Sequence, residues 1–202
     1  MFRTNSAWLA LLLGLSAVVA GCTSAPPDRM FGLPASGAAQ LDVCHGFNCY
    51  FRTKVAFGGD DATLIAGYFA AVDTPAAERA AISRSIQHFE NKSTQAIGIA
   101  DGAKSSIRVS GKQGQMDCID ESTNTRTLLL YLAGRELLKH HKVEPTTSRG
   151  IILDARYFHS TAVVRDSAGK RWAIDSWYEP AGGPPDIMPL DEWRTRGVLG
   201  ER

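Results

Sequence analysis

The sequence has no excess of charge of either sign. Over 202 residues, 22 lysines and arginines stand against 21 aspartates and glutamates, for a formal net charge of +1. With no basic tract either, the electrostatic footprint of a nucleic-acid binder is missing, and nucleic acid is not an expected partner. There is no internal repeat and no Gly-x-Ser-x-Gly elbow. There is no phosphate-cradling loop, because Ser110-Gly111-Lys112 lacks both the leading glycine and a hydroxyl residue after the lysine. Histidine and cysteine are too sparse for a zinc site: His45 lies between Cys44 and Cys49, with no second cluster. His140 and His141 are adjacent and would point about 100° apart on a helix. No cofactor is expected. A 44% apolar content with 21% charged residues excludes a charged disordered chain and supports a packed core.

The one long apolar run, Ala7 to Ala20 (AWLALLLGLSAVVA), is short for a membrane span. As a helix it reaches about 21 Å at ~1.5 Å per residue, against ~30 Å of hydrocarbon. It follows a single charge, Arg3, and ends in Val19-Ala20-Gly21-Cys22. Short length, positive flank and small terminal residues read as a signal peptide over residues 1–21. The last four residues resemble a bacterial lipobox. That resemblance implies lipid on Cys22, hence a membrane partner and a place in the cell envelope. Thr23 in place of Asp leaves out the inner-membrane retention signal, so the expected position is the periplasmic face of the outer membrane in a host that has one. Residues 22–40, rich in Ala, Pro, Gly and Ser, read as a tether, and residues 41–202 as the folded domain.

Export places the remaining cysteines in an oxidising compartment. Cys44 and Cys49 are close enough to close a small disulfide loop, leaving Cys118 as a free thiol. Pairing of Cys118 with Cys44 or Cys49 is the open alternative. Tyr50–Phe57 reads as a strand, and a helix capped at Asp60 or Asp61 is expected through about Val72. A second helix starts at Thr74-Pro75, with Ala81, Ile82, Ile86 and Phe89 on one face. Residues 91–115 read as irregular. The longest helix is expected from Asp117 to Lys142, acids at its start and Lys139, His140, His141 and Lys142 at its end. Strands follow at Gly150–Leu153, Tyr157–Arg165 and Arg171–Trp177, then a Pro-rich loop to Pro189 and a short helix near Asp191–Arg194. Helices followed by strands give an α+β class.

The chemistry centres on Cys118 at the start of that long helix. The helix dipole favours its thiolate, while Asp117 and Asp120 oppose it, so a histidine partner is required. His159 begins a strand that returns through Arg171–Trp177. A turn near Ala168 sets Asp175 on the same face, opposite or one diagonal away. Asp175 would orient the imidazole, and His159 would hold the thiol proton.

Three pieces in this order resemble the transglutaminase-like branch of the papain-like superfamily: Met116-Asp117-Cys118-Ile119-Asp120-Glu121-Ser122, His159-Ser-Thr-Ala-Val-Val, and Trp172-Ala-Ile-Asp175-Ser-Trp177. The resemblance covers about a third of the chain. It implies a nucleophile helix packed on a small antiparallel sheet. It also implies a Cys118-His159-Asp175 triad acting on amide or peptide bonds through a thioester, with hydrolysis favoured over transfer and a peptide or protein substrate. Gln115 or Gln113 would supply an oxyanion amide beside the Cys118 N–H. Thr161 departs from the aromatic residue often found two after the histidine. In the related bacterial cysteine peptidases, acids beside the cysteine bind calcium. Asp117, Asp120 and Glu121 are the corresponding candidates here, but capping is the favoured role because calcium needs ~6–8 oxygens. Asn124 and Thr125 are expected to face the cleft.

Two other readings use the same residues. Trp172, Trp177, Tyr178 and Trp193 could line a cleft in a non-catalytic envelope binding module. A redox-sensing Cys118 would need an unpaired Cys44 or Cys49 as resolving thiol.

Overall fold

The computed structural model describes residues 36–150 and 158–196. The segments read as signal peptide and lipid attachment site, and most of the tether, lie outside them. The fold is mixed α+β. Strand β1 (Ala39–His45) pairs with β2 (Phe51–Phe57) as an antiparallel hairpin. Alternation sets Leu41, Val43, Val55 and Phe57 into the core, while Asp42 and Lys54 face each other outside at 3.1 Å. β1 begins two residues before the expected domain start. The Cys44–Cys49 disulfide closes the connecting loop.

Helix α1 (Gly59–Phe69) starts with Asp61 accepting the Gly58 N–H at 2.8 Å, and it ends short of the expected Val72. Helix α2 (Pro75–Ile97) has the Thr74 cap and Pro at its first turn. It runs into the stretch expected to be irregular. Its buried stripe continues from Phe89 through Ser93, whose hydroxyl donates to the Phe89 carbonyl at 2.8 Å, to Ile97. Gly98, at φ +82°, then ends it in the left-handed region. A one-turn 3-10 helix (Ile107–Val109) interrupts the loop beyond.

Helix α3 (Cys118–Gly134) is shorter than the expected helix to Lys142. Glu136 takes a left-handed φ of 56°, and the chain turns. Buried Glu78 of α2 then accepts the backbone N–H groups of Lys139, His140 and His141 at 2.7–2.9 Å, and the His141 ring at 2.9 Å. The basic cluster therefore leads into strand β3 (His141–Arg149) and does not complement a helix dipole. Pro145 sits where the β3 register shifts, as a strand proline must. Of the expected strand Gly150–Leu153, Gly150 follows β3 and the rest lies outside the described residues.

Strands β4 (His159–Asp166), β5 (Arg171–Asp175) and β6 (Asp186–Pro189) complete a sheet of order β3-β4-β5-β6, antiparallel throughout. β6 lies within what reads as a Pro-rich loop. Helix α4 (Leu190–Thr195) closes the described chain. Alternate residues cover both sheet faces. Ala162, Val164 and Ile174 pack with Leu128, Leu129 and Leu132 of α3, while Val163 and Ala173 lie under Leu190 and Trp193 of α4. Among the described residues, no helix is long and apolar enough to cross a membrane.

Burial would raise the Glu78 pKa, but the His141 ring and the N–H groups of His140 and Lys139 more than offset it and hold it below the ordinary value. Its stabilising share is therefore present above the unfolded-state pKa and lost as pH falls through the folded one. Glu78→Ala should remove about 3 kcal/mol or more, read as a lower urea midpoint at pH 7. An unchanged midpoint would mean that this carboxylate does not hold the α3–β3 junction.

Candidate active site

Cys118 is the first residue of α3, and its position follows from the cap before it. Asp117 accepts the N–H groups of Ile119 (3.1 Å) and Asp120 (2.9 Å) with one oxygen and that of Asn48 (3.1 Å) with the other. Asp120 accepts from Phe47 (2.8 Å), Cys49 (2.5 Å) and, more loosely, Asp117 (3.4 Å). The calcium candidates thus do not converge. Asp117 and Asp120 serve backbone donors, and Glu121 turns into a different cluster. Cys44, Cys49 and Asp120 place ligand-type atoms within 4.8 Å of one another, but the disulfide leaves no thiolate for a cation.

His159 opens β4. The β4–β5 register, continued by one pair, sets Asp175 opposite Thr161 and one diagonal from His159. The His159 Nε2–H donates to Asp175 Oδ2 at 2.7 Å. The same oxygen accepts the Trp193 indole N–H at 2.7 Å, and Oδ1 accepts the Trp177 backbone N–H at 3.3 Å. The imidazole lies among the rings of Trp177, Trp193 and Tyr178, with centroids 4.9–5.7 Å away. His159 Nδ1 is buried and, among the described residues, without a hydrogen-bond partner. A buried imidazole nitrogen left open, while the other is held by a carboxylate, is a lone pair available to accept a proton.

The Ser160 backbone N–H, next in chain to that ring, hydrogen-bonds the Cys118 thiol. The Ser122 and Ser160 hydroxyls, 2.9 Å apart, tie α3 to β4 one turn beyond. Cys118 is buried, 6% exposed as a residue. Burial, then the charges of Asp117 and Asp175, push its pKa up to about 12, against the Ser160 N–H. The resting group is therefore a neutral thiol, and it needs a base to become a nucleophile.

Of the oxyanion candidates, Gln115 donates its amide to the Ala100 carbonyl at 3.2 Å, and Gln113 is exposed. Asn124 and Thr125 are buried and, with Met116 and Glu121, border a small cavity rather than an open surface. The Asn124 amide pairs with both backbone groups of Cys44, at 2.7 and 2.8 Å, and Thr125 meets Ser176 at 3.2 Å. The aromatics flagged in the sequence divide. Trp177, Tyr178 and Trp193 surround His159, while Trp172 lies under the Arg79 guanidinium at 3.5 Å.

Behind α3 is a feature with no signal in the sequence. Glu90 of α2, Asp101 of the following loop and Glu121 of α3 form a buried acid cluster. Glu121 and Asp101 act on each other's titration, and burial raises both pKa values and so favours their protonated forms. Glu90 accepts from Gly182 N–H at 2.7 Å and from the Ser176 hydroxyl, while its Oε1 is buried and has no partner among the described residues. Glu90 and Glu121 border a cavity of about 10 Å³, the space of one water. Burial raises all three pKa values, Glu90 to about 7, and mutual repulsion adds to it for Glu90 and Glu121. The cluster lies against Ser176, next to Asp175, and Glu121 feels the Asp175 charge directly.

No protein-family model, curated protein or solved structure matches this chain.

Raised carboxyl pKa values mean that the folded state keeps protons the unfolded state releases. Stability therefore declines as pH rises from about 4.5 through the folded values. Glu121→Gln keeps the hydrogen-bonding shape without the charge. Its melting temperature should exceed that of the parent by several degrees at pH 8 and match it near pH 4.5; at roughly 2–4 °C per kcal/mol this is readable calorimetrically. Equal melting temperatures at pH 8 would mean that the cluster holds no proton.

Proposed function

We propose that the chain is an envelope protein, anchored by lipid on Cys22, whose transglutaminase-like domain hydrolyses an amide or peptide bond through a thioester on Cys118. The observation that carries this reading is the open, buried Nδ1 of His159, with Nε2 held by Asp175 and the thiol seated against the next residue, Ser160. His159 Nδ1 takes the thiol proton as sulfur attacks the substrate carbonyl carbon. The C–S bond forms and the carbonyl π pair moves to oxygen. The Cys118 backbone N–H is the oxyanion donor, since the Gln115 amide is already engaged. Collapse expels the amine, which takes the proton from His159. Water then loses a proton to His159 and attacks the thioester, and C–S cleavage returns acid and thiol. Asp175 keeps the imidazole proton on Nε2 throughout, so that Nδ1 is the shuttling atom. Hydrolysis is favoured over transfer because water is abundant.

A second reading rests on the burial of Cys118, which is 6% exposed as a residue and has no hydrogen bond to the ring. On that reading the domain keeps the fold and binds without catalysis.

A thiol-reactive probe separates the two. At pH 7.5 a thiol of this pKa should label more slowly than a denatured control unless His159 assists it. Under catalysis Cys118 labels at least about tenfold faster than the denatured control, and His159→Ala removes that excess. The binding reading gains if the native protein labels no faster than the denatured control and His159→Ala changes nothing.

A further inference from the structure

The hairpin loop and the start of α3 are built as one unit. Gly46, Phe47, Asn48 and Cys49 all have positive φ, at 87°, 72°, 52° and 54°. Three consecutive residues with side chains in the left-handed region form an unfavourable arrangement that must be held from outside. A side chain at position 46 is also barred, since its Cβ would lie 2.5 Å from the Phe51 ring. Two sets of contacts hold the loop. One is the Cys44–Cys49 bond across its base. The other is its run of N–H groups, which converge on acids: Phe47 and Cys49 on Asp120, Asn48 on Asp117. These acids are the cap and first turn of the helix that begins with Cys118. The loop also grips the chain entering that helix, through Gly46 N–H to Gln115 O at 2.6 Å and Gly111 N–H to Gly46 O at 3.0 Å.

We propose that the Cys44–Cys49 disulfide is a redox clamp on the first turn of α3, so that a dithiol reductant unseats Cys118 by opening it. This rests on the proposed function for its consequence, but not for its mechanics. Cys49 is half-buried between exposed Asn48 and Tyr50, so it is the sulfur a reductant reaches, while Cys44 is fully buried. One thiolate of the reductant attacks Cys49, and Cys44 leaves and takes a proton from water. The second reductant thiol, giving up its proton, attacks the mixed disulfide. Cys49 is released and protonated, and the reductant ends as a disulfide. Once the crosslink is gone, the loop relaxes out of the left-handed region. Asp120, fully buried, then loses the donors that offset its burial. Burial and Asp117 already raise its pKa to about 6. Desolvated and left with only the long contact from the Asp117 N–H, it leaves the core and carries the first turn with it.

Amide hydrogen exchange of the full chain, oxidised and after dithiothreitol, reads this directly. The expected result is an increase of about tenfold or more in exchange at residues 117–121, with 128–134 of the same helix unchanged. The double variant C44A/C49A, without reductant, should show the same local pattern. No change at 117–121, or equal acceleration across α2 and α3, overturns the clamp; the second outcome makes the bond a global staple. In the labelling assay, the His159-dependent excess at Cys118 should vanish on reduction. If oxidised protein shows no such excess, the proposed function fails while the exchange result still decides the clamp.

Discussion

The capping of α3 is the constraint on which the rest of the site depends. A helix start leaves its first N–H groups without intrahelical partners, and Asp117 accepts two of them. The remaining oxygens of Asp117 and Asp120 take donors from the hairpin loop, more than 65 residues earlier in the chain. This joins the two-stranded hairpin, the α2–α3 loop and α3 at the residue that carries the thiol. The opposite side of the site is fixed as firmly. Asp175 has three donors, one of them the indole of Trp193 on α4, and Arg149 stacks on that indole at 4.6 Å while binding the Tyr178 hydroxyl. Cys118 and His159 are thus each held by contacts within the fold.

The electrostatics run against a resting ion pair. Asp117, Asp120, Glu121, Asp175 and, behind them, Glu90 and Asp101 surround a thiol with acids, most of them in a desolvated setting. Such a field suppresses a thiolate, while burial raises the pKa values of Glu90, Asp101 and Glu121 and favours their neutral forms. A neutral resting thiol follows from its burial and from the acids around it.

The sequence made some of this legible and hid the rest for identifiable reasons. Pairs close along the chain could be read: Cys44 with Cys49, Thr74 with Pro75, and the acids at the start of α3. His159 and Asp175 were also within reach, because a hairpin converts spacing into register. The end of α3 was not. Leu137 and Leu138 continue the apolar pattern, but a carboxylate 61 residues upstream captures the backbone at Lys139. Tertiary capture of N–H groups overrides local propensity there. The Glu90–Asp101–Glu121 cluster draws on a helix, a loop and another helix, and no periodicity relates such positions. Asn124 and Thr125 looked like cleft residues because polar side chains on a helix ordinarily face water. Asn124 instead completes the exposed edge of β1 as a strand neighbour would, with one amide serving both backbone groups of Cys44.

That last contact shows how closely stability and site are coupled. Cys44 is at once the edge residue that Asn124 seals, one end of the disulfide, and the entry to the loop that grips the α3 cap. Asn124 in turn lies two turns along the helix that Cys118 begins. The hairpin is therefore pinned to α3 at two points, its edge and its loop, with the disulfide between them. A hairpin alone is marginal in water and needs a packing partner. Here α3 is that partner, and the elements that make the hairpin stable are the ones that set the thiol. Weakening either attachment should be felt at Cys118 before it is felt on the outer face of the four-stranded sheet, where Val163 and Ala173 pack with Leu190 and Trp193 in a cluster separate from the hairpin core.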